Sequence, residues 1–157
     1  MKIILDVMGA DHPAAELVKG AILAKKEYGA EMILVGNEGE IREALAANGE
    51  EVSAWEIVPT TDVITMEDDP VSIRRAHKES SMAVALHMVS EGKGDAMGSA
   101  GNTGALFVGA TGFVHCIPGV RRAALATILP FANPILLLDS GANAEPSVDF
   151  MPLFAVL

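Results

Sequence analysis

Ile3-Ile4-Leu5-Asp6-Val7-Met8-Gly9-Ala10-Asp11-His12 opens the chain with a short, nearly continuous apolar run followed by a polar loop. Apolar residues at successive rather than alternate positions mark a parallel strand covered on both faces. Pro13 is placed to open a helix, with Leu17, Val18, Ala21, Ile22 and Ala24 on one broad face and Tyr28-Gly29 at its end. The alternation then repeats. Met32-Ile33-Leu34-Val35 reads as a second strand, and Asn37 caps a helix carrying Ile41, Ala44 and Leu45 that Asn48-Gly49 terminates. Trp55-Glu56-Ile57-Val58 is the third strand.

Residues 59–70 form an acidic, turn-rich connection with Glu67-Asp68-Asp69, read as a solvated loop. From Val71 two helical pieces follow. The second starts at Ser80-Ser81, carries Met82, Ala85, Leu86 and Val89 at helical spacing, and stops at Gly92. Met82 and Met88 read as core filler. Asp95-Ala96-Met97-Gly98 leads into Ser99-Ala100-Gly101-Asn102-Thr103-Gly104-Ala105, a glycine turn before an apolar helix that bears Leu106, Phe107, Val108 and Val114. Gly109 and Gly112 each cost that helix roughly 1 kcal/mol relative to alanine, which close packing against another element would offset. Residues 123–129 and 135–138 read as two further strands, with Pro130 and Pro134 flanking their connection. Such alternation predicts an α/β fold of three layers, α/β/α, around a mostly parallel sheet, with ligands at the carboxyl ends of the strands.

At 157 residues, half of them hydrophobic and 20% charged, the chain has globular composition and is expected to form a single α/β domain over residues 1–157. Eleven basic residues against 21 acidic ones leave a formal charge of -10, which repels phosphodiester backbones and excludes general nucleic-acid binding. Cys116 has no intrachain disulfide partner and reads as a small buried hydrophobe, fitting a reducing compartment. His12, His77, His87 and His115 make no zinc spacing, so no metal site is expected. Asp6 puts a carboxylate where a signal peptide would continue its apolar core, and no apolar run approaches the roughly 20 residues needed to span a bilayer. The chain reads as cytoplasmic. Met151, Leu153, Phe154, Val156 and Leu157, behind a Ser147 cap, form a greasy end that reads either as an interruption or as a helix docking on this same domain.

Three loops after predicted strands are expected to cluster at one edge of the sheet: residues 6–12, residues 99–104, and Asp139-Ser140-Gly141-Ala142-Asn143. The glycine turn offers bare amides at a helix start, a cradle for an anion, or else is an ordinary strand-to-helix turn. Arg74-Arg75 with Lys78 is a compact basic group whose arginines could grip phosphate oxygens, or a solvated helix face. There is no G-x-x-x-x-G-K-[ST], no G-x-G-x-x-G and no G-x-S-x-G. With no obvious covalent nucleophile, the substrate must supply one.

Ile4 through His12, Ser80-Ser81-Met82, Ser99 through Ala105, Ile117-Pro118-Gly119, Ala124-Leu125-Ala126-Thr127 and Leu137 through Asn143 stand in an order similar to that of the bacterial phosphate acyltransferase (PlsX) family. The resemblance covers nearly the whole chain. It implies a fold like that of phosphotransacetylases and isocitrate or isopropylmalate dehydrogenases, in a homodimer. The implied activity converts acyl-acyl carrier protein and inorganic phosphate to acyl phosphate at the start of phospholipid synthesis, without a cofactor.

On that reading Arg74, Ser99, Gly101, Asn102, Thr103 and Gly104 hold phosphate, and His12, Asp11 and Asn102 orient it, move a proton or steady the oxyanion. Asp6, Gly9, Asp139, Gly141 and Asn143 shape the substrate walls. Arg74, Arg75, Lys78 or Arg121-Arg122 would meet the acidic carrier protein. Ala10 stands where the family commonly has a second glycine, and Asn143-Ala144-Glu145-Pro146 departs from the usual continuation. Family members also continue for a substantial second portion that completes the cleft and carries membrane-contacting helices, so the chain reads as truncated and peripheral membrane association belongs to the longer protein. Two other readings stand beside it: a noncatalytic module that docks the carrier or dimerises, and a related enzyme that draws on coenzyme A thioesters.

Overall fold

Four strands build one parallel sheet in the order β3-β2-β1-β4: β1 (Lys2–Asp6), β2 (Glu31–Gly36), β3 (Glu56–Pro59) and β4 (Ala96–Ser99). The computed structural model describes residues 1–121, 123–141, 148 and 151–154. Its chain divides into two compact units, Met1–Val114 and His115–Leu157, each described by itself.

In the first unit α1 (Ala14–Tyr28) follows Pro13 and ends where Gly29 takes a left-handed φ of 63° and its N–H bonds to Lys25. α2 (Glu38–Ala47) begins at Asn37, whose side chain accepts from the Gly39 and Glu40 amides. α3 (Ser81–Ser90) begins at Ser80, which caps the Ala83 N–H. These caps fall where the sequence places them. Strand periodicity then sorts the layers, because successive side chains point to opposite faces. Ile3, Leu5, Met32 and Leu34 pack with α1 and α2, whereas Ile4, Ile33 and Val35 pack against Ala85 and Met88 of α3. Each fully buried Leu or Ile contributes roughly 1.5–3 kcal/mol, so covering both faces of β1 and β2 dominates the stability of this unit.

α4 (Thr103–Gly109) widens into a π turn over Ala110–Val114 and packs on α3 and on a 3-10 turn, Pro70–Arg74. A side chain at Gly109 would meet Leu86 Cδ1 at 2.5 Å and Ile73 Cδ1 at 2.7 Å, so this glycine serves the close packing predicted for it. Met82 and Met88 are buried, as core filler should be.

The second unit departs from expectation. β5 (Ala126–Leu129) and β6 (Ile135–Leu138) pair antiparallel with each other in a separate two-stranded sheet. The reason is covalent. Residues 130–134 suffice for a hairpin, while a parallel crossover takes about a dozen residues or more. Cys116 is half-buried here, short of the buried position expected. A single turn, α5 (Met151–Phe154), follows. Arg122, Asn143 with the departure at 143–146, and the Ser147 cap lie outside the described residues.

Candidate functional site

β1 lies between β2, the next strand in the chain, and β4, which arrives after β2 and β3 have been laid on the other side. The sheet therefore changes winding direction between β1 and β4, and the crevice beyond their carboxyl ends is where α/β sheets of this type take ligands. Register places Asp6 beside Ser99, so two of the three expected loops leave the sheet as neighbours. Asp139 and Gly141 of the third loop belong to the second unit.

Asp6 is 1% exposed. Its Oδ1 accepts the Met8 N–H at 3.1 Å, its Oδ2 accepts the Ser99 hydroxyl at 2.7 Å, and the Ser81 hydroxyl adds a further bond. Burial pushes its carboxyl above the ordinary aspartate range, against the pull of those hydrogen bonds. Expected on a substrate wall, Asp6 instead braces three segments from inside and presents no surface. Ser99 is likewise committed: its hydroxyl proton goes to Asp6, and its oxygen accepts the Gly101 N–H at 3.1 Å.

Gly9 holds φ of 69°, and a Cβ there would lie 2.3 Å from the Ile64 carbonyl oxygen, so only glycine fits. Ala10 does not need positive φ, which disposes of the difference from the family's second glycine at that position. Asp11 and His12 are exposed on the same loop. Across the crevice a Cβ on Gly101 would stand 3.3 Å from the Gly9 carbonyl oxygen, so the two backbones nearly touch.

Asn102, expected to touch the anion, is 7% exposed and has spent its amide group within the protein. Its Oδ1 accepts the Ala105 N–H at 3.0 Å, and its Nδ2 donates to the carbonyls of Thr65 and Asp68, each at 3.1 Å. Its own carbonyl accepts the Leu106 N–H at 3.0 Å. Among the described residues, the backbone N–H groups of Asn102, Thr103 and Gly104 have no acceptor, and Thr103 is exposed. The candidate cradle is thus narrower than the sequence suggested: the Gly101 N–H is taken by Ser99, which leaves the three consecutive amides of Asn102, Thr103 and Gly104. Gly104 is a glycine because Pro70 Cγ lies 2.7 Å from where its Cβ would be.

The acidic connection is largely exposed, as expected of a solvated loop, but two of its acids are bonded locally. Asp68 Oδ2 accepts the Thr65 N–H at 2.7 Å and its hydroxyl at 2.9 Å, and Asp69 Oδ1 caps the 3-10 turn through Val71 N–H at 2.9 Å. Those bonds from Thr65 hold the Asp68 carboxyl below its ordinary value. The segment's part in the site was missed, although Thr65-x-x-Asp68 and Asp69-Pro70 carry local turn and cap signals.

Arg74 faces elsewhere. It lies against Gly112 and lines a cavity of about 800 Å³ with Lys78, His87, Met88 and Phe113, a lining that includes no residue of the glycine turn. There the His87 ring stacks on Phe113 with centroids 4.2 Å apart. Among the described residues no group of three or more His, Cys, Asp or Glu could hold a metal, and no helix is long and apolar enough to cross a membrane.

The family model described as "Fatty acid synthesis protein" matches residues 1–157. A phosphate acyltransferase of Thermotoga neapolitana is 42% identical over 158 residues, covering 100% of this chain and 45% of its own length. One from Nostoc punctiforme is 37% identical over 160 residues, with 100% and 47% covered. A phosphotransacetylase from Streptococcus pyogenes superposes with a TM-score of 0.71 at 19% identity, covering 99% of this chain and 51% of that one, a likeness of fold. This chain spans about half the length of the curated relatives it matches.

Proposed function

The chain belongs to the fatty acid synthesis protein family, and from that premise we propose that it carries the phosphate-holding part of a phosphate acyltransferase. The reaction joins acyl-acyl carrier protein and inorganic phosphate. A phosphate oxygen attacks the thioester carbonyl carbon, and the carbonyl π pair moves onto its oxygen. Collapse of that oxyanion re-forms the carbonyl and expels the thiolate, which takes the proton that hydrogen phosphate brought in. Acyl phosphate and free thiol result, with no protein acyl intermediate.

The protein's task is to fix the anion and steady the oxyanion. The observation that supports this reading is the run of unpartnered backbone amides, Asn102, Thr103 and Gly104, at the carboxyl edge beside β1. They form the positive end of α4, where an anion is favoured. Asp11 and His12, exposed on the facing loop, steer phosphate or carry the proton to the thiolate. Arg74 with Lys78 meets the acidic carrier protein. A homodimer in the cytoplasm, with peripheral membrane contact made by the longer protein, belongs to the same proposal. The relatives' shared name favours this reading over a noncatalytic docking module.

Proline is tolerated at the first helical position, and Asn102, with ψ of 106°, already has the extended backbone that precedes it. Thr103→Pro therefore deletes one cradle donor with the fold retained, whereas Thr103→Ala keeps the N–H. Calorimetry with inorganic phosphate should show affinity falling roughly ten- to hundredfold in Thr103→Pro, the worth of a hydrogen bond to a charged group, and less in Thr103→Ala. Equal binding by both variants and the unsubstituted chain would move the site elsewhere.

A further inference from the structure

The Asn102 amide links the two segments that flank the cradle. Through Oδ1 it closes the first turn of α4, and through Nδ2 it holds the Thr65 and Asp68 carbonyls. The held segment carries Glu67, Asp68 and Asp69, and Pro70 behind it packs against Gly104, so it borders the first turn of α4. Three carboxylates there would repel phosphate if they were free to turn toward it. Two are not free. Asp68 is turned back onto Thr65 and Asp69 onto the Val71 amide. From the other side the segment is wedged by Gly9, whose missing side chain leaves room for the Ile64 carbonyl. A residue with the shape of asparagine is needed at 102, because one end must accept and the other must donate.

We propose that the Asn102 side chain is a positioning group: it stakes the acidic segment 65–69 to the start of α4, keeps those carboxylates turned into their own loop, and does not itself touch the anion. The role rests on the phosphate site described under Proposed function, and it replaces the direct contact expected from sequence. Asn102→Ser separates its two jobs. Serine caps a helix about as well as asparagine but has no donor that reaches both carbonyls.

In Asn102→Ser, amide hydrogen exchange at residues 64–69 should quicken by about tenfold or more while Ala105 and Leu106 keep their protection to within about threefold. Affinity for inorganic phosphate should fall about tenfold, the equivalent of about 1.4 kcal/mol. Adding Glu67→Gln, Asp68→Asn and Asp69→Asn to Asn102→Ser should restore it to within about threefold, because only the released charges stood in the way. Should the serine variant fail to fold, Asn102→Asp, isosteric and as good a cap, reads the same exchange.

A chain that binds phosphate and ignores Asn102→Ser overturns this role alone. So does weakened binding with unchanged exchange at 64–69, or weakened binding that neutralising the acids does not restore. An unsubstituted chain that binds no phosphate overturns both this role and the reading beneath it.

Discussion

β2 and the β5–β6 hairpin are equally apolar and buried to opposite extents. In the first unit Ile33, Leu34 and Val35 are fully buried, with α1 and α2 over one face and α3 over the other. In the second, Ile128 is 70% exposed and Leu136 58%, with Ile135 and Leu137 also open. Strand composition does not make the difference. Helical crossovers return the chain to the sheet with a covering layer attached, whereas a five-residue hairpin connection, residues 130–134, brings none. Apolar residues in a strand therefore announce that a cover is needed, and the length of the connection decides whether the local chain supplies it.

The comparison breaks most readily at matched leucines. Leu34→Ala should cost about 2–5 kcal/mol, the transfer and cavity penalty of a fully packed site. Leu136→Ala should stay within about 0.5 kcal/mol, as for an exposed position. Urea denaturation of each variant decides it. Equal costs would mean that the hairpin is covered in solution, and a dependence on protein concentration would identify a second copy as the cover.

Connection length also marks how far the sequence could be read. The first three strands, α1 and α2 and their caps were legible because Pro13, Asn37 and Gly29 are local signals whose physics acts within one turn. The two strands of the hairpin were legible as strands, but their antiparallel pairing in a sheet of their own was not, because apolar runs do not state whom they pair with. For the site, sequence located the two loops that meet at Asp6 and Ser99, since glycine and hydroxyl content after a strand is a local property. It did not reveal that Asn102 and Ser99 are consumed by Thr65, Asp68 and Asp6. Those partners lie 34 to 93 residues away in the chain, and only the folded sheet brings them within reach.

Glycines sharpen the contrast at a smaller scale. Gly109 has an ordinary helical backbone and no room, with Leu86 and Ile73 against it; Gly119 has open space and φ of 89°. Gly109→Val should cost about 1–3 kcal/mol through overpacking, whichever residue of that size is used. Gly119→Ala should cost about 1 kcal/mol through backbone strain, and Gly119→Asn less, because asparagine tolerates positive φ. Thermal melts of the three variants separate crowding from strain. A Gly119→Asn as damaging as Gly119→Ala would show that the second unit is packed there after all.

The smallest effect concerns the one carboxylate that the covered unit has taken inside. Burial raises Asp6, while bonds from Ser81, Ser99 and Met8 lower it, and burial is the larger influence. A raised value in the folded state means that the folded chain holds a proton which the unfolded chain has already released, in the window just above the ordinary 3.8. Stability from this group is then greatest below that window and is lost as pH rises through it. Glu50, Asp68 and Glu91, held below their ordinary values by Lys26, Thr65 and Lys93, act in the opposite sense, so the raw pH profile mixes the two. Subtracting Asp6→Asn removes the mixture. As pH rises above 3.8 the asparagine variant should gain on the unsubstituted chain, in urea midpoints, until the folded Asp6 has ionised, and then run parallel to it. A gap that moves the other way would show that the three hydrogen bonds outweigh the loss of water around Asp6, and that the junction of β1, β4 and α3 is held by a carboxylate at ease with its charge.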